Sequence, residues 1–185
     1  MAYRSGTYVA FHAGGTTDPT APNSDIKYYN LLKGWNASSR HEFRLTDSHE
    51  KTSAVRDTSL KATLAARLRE RLNNSKNMLL IITRNTIKDR DWVPYEITYA
   101  VDTCGIPIIA AYPDFDIIRK PADLWGLWPI CLKDRINNNT ASVIHIPYRQ
   151  TVINNAINQF DPSNRPLGNG LGYYSNEAYR SFGLL

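Results

Sequence analysis

The sequence predicts an α/β fold in which a parallel, five-stranded β-sheet is covered by helices on both faces. Short β-branched or apolar runs alternate with segments of helical periodicity, which is the pattern of right-handed β–α–β crossovers. Two of these runs, 77–83 and 106–112, are almost entirely apolar, as expected of strands buried on both faces. With 185 residues, 42% of them hydrophobic, the chain can bury one core. We therefore predict one α/β domain over 1–160, followed by an extension or tail over 161–185.

The first strand and the first helix are predicted before residue 36. Residues 7–12 are β-branched and aromatic and stop at the glycines of 13–19, which indicates a strand followed by a loop. Ser24 or Asp25 can cap a helix that continues to Trp35, because its apolar residues recur at spacings of three and four.

A second strand and helix follow. Residues 41–46 form a short predicted strand, and a polar loop spans 47–57. Leucines recur every fourth residue from Leu60 to Leu72, which predicts an amphipathic helix. Basic residues lie between these leucines, and the net charge of the chain is +5. Because no aromatic-interleaved basic groove accompanies them, we interpret them as a solvated helix face and expect no nucleic-acid partner.

The third strand is predicted at 77–83, and a charged loop leads from it to Asp91. Asp91 is a suitable N-cap for a helix that begins at Trp92 and continues to about Asp102. Pro94 falls in the first turn of this helix, where a missing amide hydrogen is tolerated.

The remaining elements are a fourth strand at 106–112, a fifth at 143–146 and a closing helix over 149–160. The tail has no clear period, so it can be either a packed extension or a mobile segment. The sequence contains no run of about 18 apolar residues, so no membrane span is predicted. The N-terminal residues lack the apolar stretch of a signal peptide, and a cytoplasmic location is the expectation. The two cysteines and four histidines are too dispersed to indicate a disulfide framework or a metal site.

Ligands of open parallel sheets bind beyond the carboxyl ends of the strands. In this chain those ends supply six candidate substrate-binding residues: Phe11, His12, Ala13, Asp47, Ser48 and Thr83. The acidic residues of a phospho-receiver, a GxGxxG fingerprint and a GxSxG nucleophile elbow do not occur there. Gly14-Gly15 is interpreted as a flexible turn rather than a phosphate loop.

One further pattern lies on the third predicted helix. Trp92 and Glu96 are four residues apart, so they share a face and lie one turn apart. Val93 and Ile97 mark the neighbouring, core-facing stripe, which places Glu96 on its shoulder at the edge of a cleft. Spacing alone favours a surface glutamate stabilised by the helix dipole.

The string Trp92-Val93-Pro94-Tyr95-Glu96-Ile97 after an apolar strand resembles the catalytic helix of TIR domains. The sequence is similar over roughly 7–112 to the TIR-like proteins of the bacterial Thoeris anti-phage system, the ThsB group. Further matching stretches are Phe11-His12, Lys51-Thr52-Ser53 and Leu72-Asn73-Asn74-Ser75. The resemblance implies a flavodoxin-like sheet of strand order 2-1-3-4-5 and an enzyme that consumes NAD, with Glu96 as the catalytic residue. The loop 14–23, the region 115–139 and the tail depart from the family pattern.

The implied mechanism is chemically consistent with one carboxylate. Nicotinamide leaves NAD as a neutral molecule, so the transition state needs only stabilisation of an oxocarbenium-like ribose, which a carboxylate supplies. Trp92 is expected to shield the site from water. Phe11 either stacks on a flat ring of the ligand or lies buried in its strand, and His12 either binds a ribose or phosphate oxygen or simply ends the strand. Arg56 is expected to bind a pyrophosphate or to pair with Asp57.

NAD is thus expected as a substrate, with no cofactor and no metal. The resemblance implies a nucleotide messenger, either ADP-ribose-derived and cyclic or a conjugate, that is made after a phage-derived trigger and sensed by a separate effector. The loop 50–57 corresponds to the segment through which TIR domains self-associate. Two rivals stay open: a non-catalytic TIR-type interaction module, and a nucleoside deoxyribosyltransferase-like enzyme.

Overall fold

The computed structural model describes residues 4–38, 45–46 and 58–185. Its strands are β1 (Gly6–Ala10), β2 (Leu45–Thr46), β3 (Ser75–Ile81), β4 (Ile108–Tyr112), β5 (Val143–Pro147) and β6 (Gly172–Tyr173). Its α-helices are α1 (Ile26–Ser38), α2 (Thr58–Asn73), α3 (Trp92–Thr98), α4 (Ile130–Asn137), α5 (Gln150–Gln159) and α6 (Asn176–Ser181). A π-helical turn (Tyr99–Cys104) continues α3, and 3₁₀ turns lie at Thr86–Lys88 and Pro121–Leu127.

The described strands form one parallel sheet in the order β2-β1-β3-β4-β5-β6. The predicted α/β fold with a parallel sheet is confirmed. The sheet has one more strand than predicted, because β6, which comes from the tail, pairs with β5. Of the predicted strand 41–46, only Leu45–Thr46 lies within the described residues, where it pairs with β1.

Helices cover both faces of the sheet. Side chains alternate between the two faces along each strand, so a strand such as β1 contributes to both cores. Tyr8 and Ala10 point into a core packed by α2, α3 and α4. Val9 and Phe11 point into a second core, packed by α1, α5 and α6. All residues of β1, β4 and β5 are buried, as expected of strands in a doubly covered parallel sheet.

Helix α3 is shorter than the predicted 92–102. Its α-helical turns end at Thr98, and the π-helical turn continues to Cys104. Gly105 then adopts a left-handed conformation, with φ +61°, which a glycine tolerates at the end of a helix.

The tail packs against the sheet, so of the two alternatives for it, a packed extension or a mobile segment, the structure shows the packed extension. A Cβ on Gly172 would come within 2.6 Å of the Leu167 carbonyl oxygen and 2.8 Å of the Val143 carbonyl oxygen, so only glycine fits this position of β6. Tyr179 of α6 is fully buried, and its hydroxyl group donates to the Ile118 carbonyl oxygen at 3.0 Å.

A buried hydrogen-bond chain connects His145 of β5 to the tail. Its Nε2 donates to the carbonyl oxygen of Gly170 at 2.9 Å, because a carbonyl can only accept. The opposite nitrogen, Nδ1, therefore accepts from the Tyr112 hydroxyl at 2.7 Å, and that hydroxyl accepts from Trp128 Nε1 at 2.8 Å. Burial lowers the pKa of His145 to about 4, so the ring is neutral near pH 7 and can accept this bond.

Candidate functional site

The carboxylate of Glu96 lies inside the protein rather than at the edge of a cleft. Glu96 is 0% exposed, like Val93 and Ile97 on the same helix. The predicted cleft-edge position is therefore wrong, because the buried stripe of α3 is wider than the spacing of its apolar residues indicates. Glu96 can be buried because the Tyr8 hydroxyl on β1 donates a hydrogen bond to Oε1, which offsets part of the cost of removing a carboxylate from water.

Tyr8 is as fully buried as its partner. Burial raises the pKa of Tyr8 well above its ordinary value, and the charge and hydrogen bond of Glu96 raise that pKa further. The hydroxyl group therefore stays protonated across the accessible pH range and remains a donor to the carboxylate.

The N-terminus of α3 is capped by Asp89 rather than by Asp91. Asp89 Oδ1 accepts from the backbone amides of Asp91, Trp92 and Val93 at 3.1, 2.9 and 3.2 Å. Asp91 makes no side-chain capping bond, so the predicted cap is wrong. Its backbone is the reason, because Asp91 has φ −115° and ψ −71° instead of the extended conformation typical of an N-cap residue.

Asp89 also joins the end of β1 to the start of α3. Its Oδ2 lies 3.0 Å from His12 Nδ1, and the side chains of His12 and Asp89 are 16% and 10% exposed. One carboxylate thus fixes both the predicted histidine and the first turn of the helix that carries Glu96.

A cleft of about 410 Å³ opens beside this junction, at the carboxyl edge of the sheet. Three predicted site residues, His12, Ala13 and Trp92, meet in its lining. The lining also contains three cationic side chains that the sequence analysis did not select for the site, Lys61, Lys88 and Arg90. Although Asp89 and Asp91 lie there as well, the cationic side chains suit an anionic ligand such as a phosphate.

Glu96 stands one helical turn behind the cleft. Trp92 lines the cleft, and four residues of α-helix place the Cα atom of Glu96 about 6 Å further along the axis. The Trp92 indole packs edge-on against the ring of Tyr95, with 6.1 Å between ring centroids. Trp92 therefore borders the cleft, whereas Glu96, one turn further along α3, does not line it.

Phe11 lies buried in its strand, the second of the two alternatives stated for it. It is 1% exposed and stacks on Tyr29 with ring centroids 4.8 Å apart. It lies in the core packed by α1 and α5, on the opposite face of the sheet from Glu96. The other alternative, stacking on a flat ring of the ligand, does not fit this position.

Thr83 faces a neighbouring hollow of about 360 Å³ rather than the cleft. Its hydroxyl group donates to Asp25 Oδ1 at 2.8 Å, and Asn85 Nδ2 donates to the same oxygen at 3.3 Å. Burial raises the pKa of Asp25, and these two hydrogen bonds partly oppose that effect. Lys88 borders both hollows, so the hollow that Thr83 faces adjoins the main cleft.

The other predicted substrate-binding residues, Asp47, Ser48 and Arg56, lie outside the described residues. The same holds for the loop 50–57 that was expected to mediate self-association.

Tyr8 and Asp89 are site residues that the sequence analysis did not identify. The available signal for Tyr8 was a tyrosine in the middle of a buried strand, because a buried phenol group requires a hydrogen-bond partner. The signal for Asp89 was the pair of aspartates at 89 and 91, either of which can cap the helix that begins at Trp92.

The described part of the chain offers neither a cluster of metal ligands nor a membrane-spanning helix. No group of three or more His, Cys, Asp or Glu side chains is placed there to hold a metal ion. Within residues 4–38, 45–46 and 58–185, no helix combines the length and the apolar character needed to cross a membrane.

Residues 8–116 match the family model described as "Thoeris protein ThsB, TIR-like domain". The match covers more than half of the chain and extends from β1 to just beyond β4. It includes the cleft residues His12 and Trp92, the capping residue Asp89, and the buried pair Tyr8 and Glu96.

Proposed function

The chain belongs to the TIR-like domain family of the Thoeris protein ThsB, and from this we propose that it cleaves the nicotinamide–ribose bond of NAD with Glu96 as the catalytic carboxylate. The chief support is the position of Glu96. It lies one turn behind Trp92 on the helix that borders the cleft at the carboxyl edge of the sheet, which is where open parallel sheets bind ligands.

The environment of Glu96 suits the stabilisation of positive charge. A carboxylate removed from water acts on a developing oxocarbenium ion through a lower effective dielectric constant than an exposed carboxylate does. Because nicotinamide leaves as a neutral molecule, one such group suffices, and no second carboxylate is needed to protonate the leaving group.

The cleft suits the rest of the dinucleotide. Lys61, Lys88 and Arg90 supply positive charge for the pyrophosphate. His12 and Ala13 line the same cleft and are proposed to contact the ribose. Asp47, Ser48 and Arg56 remain proposed substrate-binding residues, and Thr83 is proposed to act through the adjoining hollow.

Access to Glu96 requires a movement at the first turn of α3. The carboxylate is 0% exposed, so the proposal includes a closed form, in which Trp92 separates a ligand in the cleft from the catalytic group. A phage-derived trigger would act by favouring an open form in which the ribose reaches Glu96.

The product would be a nucleotide messenger for a separate effector of the defence system. Attack by water on the ribosyl centre gives ADP-ribose, attack by an atom of the same molecule gives a cyclic ADP-ribose-type product, and attack by an external acceptor gives a conjugate. Self-association, as in other TIR domains, would be one way to hold the open form.

The experiment is incubation of the full chain with NAD at high protein concentration, with and without lysate from phage-infected cells. Nicotinamide and the remaining nucleotide are measured by mass spectrometry. We expect equimolar nicotinamide and an ADP-ribosyl product, at least with the lysate added. Absence of nicotinamide release under both conditions contradicts the proposal, provided that a catalytically active TIR enzyme works in the same lysate.

The complete burial of the Tyr8–Glu96 pair favours one alternative, a non-catalytic interaction module in which the two residues only stabilise the fold. Under that alternative, a folded Glu96→Gln chain still confers phage resistance in cells. Under the proposed function, the same folded variant loses it.

A further inference from the structure

The residue placed to control the candidate catalytic group is Tyr8. We infer that Tyr8 is a positioning residue whose hydroxyl group, by donating to Glu96 Oε1, holds this carboxylate in one orientation and in its ionised form. The inference deepens the proposed function and rests on it wherever activity is the readout, although the hydrogen bond itself does not depend on it.

The geometry makes Tyr8 a rigid donor. The two residues are 88 positions apart in the sequence, and each is 0% exposed. Tyr8 lies in β1, between β2 and β3, and is in register with Thr46 on one side and Met78 on the other. Because an internal strand of a packed sheet moves little, the phenol oxygen is fixed relative to the sheet, and α3 brings the carboxylate to it.

The chemistry of the bond favours ionised Glu96. A hydroxyl group that donates to a carboxylate stabilises the charged form, whereas burial alone disfavours it. Tyr8 cannot relieve the pair by losing its own proton, because burial and the neighbouring carboxylate both raise its pKa. The stabilisation of a developing positive charge on ribose requires the ionised form of Glu96.

Charged and titratable groups on neighbouring elements act on Tyr8. Arg71 of α2 lowers the pKa of Tyr8 by its positive charge, and Tyr95 of α3 raises it. Arg69 of α2 in turn lowers the pKa of Tyr95. Besides Glu96, Arg71 and Tyr95 are thus the described side chains whose charge or ionisation acts on Tyr8, and both remain in place when only its hydroxyl group is removed.

The test is Tyr8→Phe in the full chain, with the Glu96 carboxyl carbon titrated by ¹³C NMR. The resonance of Glu96 is identified as the one that Glu96→Gln removes. Loss of a hydrogen bond to a charged group is expected to raise the titration midpoint of Glu96 by about one to two pH units. The acidic limb of the kcat/KM profile for nicotinamide release is expected to move by the same amount. The KM on the plateau should stay unchanged, because Tyr8 is fully buried and does not line the cleft.

The matched control is Tyr148→Phe. Tyr148 is also a buried tyrosine, but its hydroxyl group donates to the carbonyl oxygen of Tyr28 at 2.6 Å. This variant should lose some stability while the Glu96 midpoint and the pH profile stay where they are. A midpoint that Tyr8→Phe leaves unmoved overturns the inference, and so does an equal movement in both variants.

If Tyr8→Phe does not fold, 3-fluorotyrosine is incorporated at position 8. It keeps the hydroxyl group and makes it a stronger donor, so the Glu96 midpoint should fall, and an unmoved midpoint counts against the inference. The proposed function and the positioning role of Tyr8 can be contradicted independently of each other. A shifted midpoint in a chain that never cleaves NAD contradicts only the proposed function, whereas an unshifted midpoint in an active enzyme contradicts only the role of Tyr8.

Discussion

Replacement of Asp89 by alanine tests how the start of α3 is held. The substitution removes the oxygen that accepts from three backbone amides and the oxygen that lies 3.0 Å from His12 Nδ1. Loss of a helix cap costs about 1 kcal/mol, and loss of the bond to His12 costs about 1 kcal/mol more. We therefore expect a loss of about 2 kcal/mol in the free energy of unfolding, which for a chain of this length lowers Tm by roughly 4–8 °C.

The matched variant is Asp91→Ala, because Asp91 makes no capping bond. Its effect should stay within about 0.5 kcal/mol. Both free energies of unfolding are measured by urea denaturation followed by circular dichroism. An unchanged m-value indicates that each variant exposes the same surface on unfolding as the wild type does. Equal losses in the two variants, or a larger loss in Asp91→Ala, would show that Asp89 is not the cap of α3.

Two further predictions concern pH and the loop after β1. Burial lowers the pKa of His145 from its ordinary value of 6.5 to about 4. As the pH falls, the imidazole of His145 is therefore protonated in the unfolded chain before it is protonated in the folded one. The free energy of unfolding should decline by up to about 3 kcal/mol between about pH 6.5 and pH 4. Urea denaturation across this range should show a smaller decline in His145→Gln, and parallel curves for the two proteins would contradict the assignment. In the loop, Gly14→Ala should destabilise more than Gly15→Ala. Both glycines have positive φ, but a Cβ on Gly14 would lie 2.5 Å from the Asn23 carbonyl oxygen, whereas a Cβ on Gly15 meets nothing within 4 Å. Thermal unfolding of the two variants tests this order, and equal Tm values would refute it.

The elements that carry their own local pattern could be predicted from the sequence. The apolar runs of β3 and β4 indicate strands buried on both faces. The leucine spacing of α2 indicates a helix that is buried along one stripe. Each pattern lies within a single segment of the sequence. The cleft residues His12 and Ala13 were also predictable, because the topology of a parallel sheet fixes which strand ends meet.

The features that depend on distant partners could not be predicted. The burial of Glu96 is stabilised by Tyr8, which lies 88 residues away, and no pattern in α3 encodes that contact. Strand β6 has only two residues, Gly172 and Tyr173, and exists because β5 offers an edge to pair with. The choice of Asp89 over Asp91 as cap depends on the path of the preceding loop, which two neighbouring aspartates do not specify.

The central claim, that the Glu96 carboxylate carries NAD cleavage, is tested most directly by the rate of nicotinamide release from wild type, Glu96→Gln and Glu177→Gln. Glu177 is a suitable control because its side chain is 80% exposed on α6. The three chains are compared at equal folded concentration, with the infected-cell lysate present. The account predicts a rate at least about 100-fold lower for Glu96→Gln and an unchanged rate for Glu177→Gln. Wild-type activity in a folded Glu96→Gln protein would contradict it.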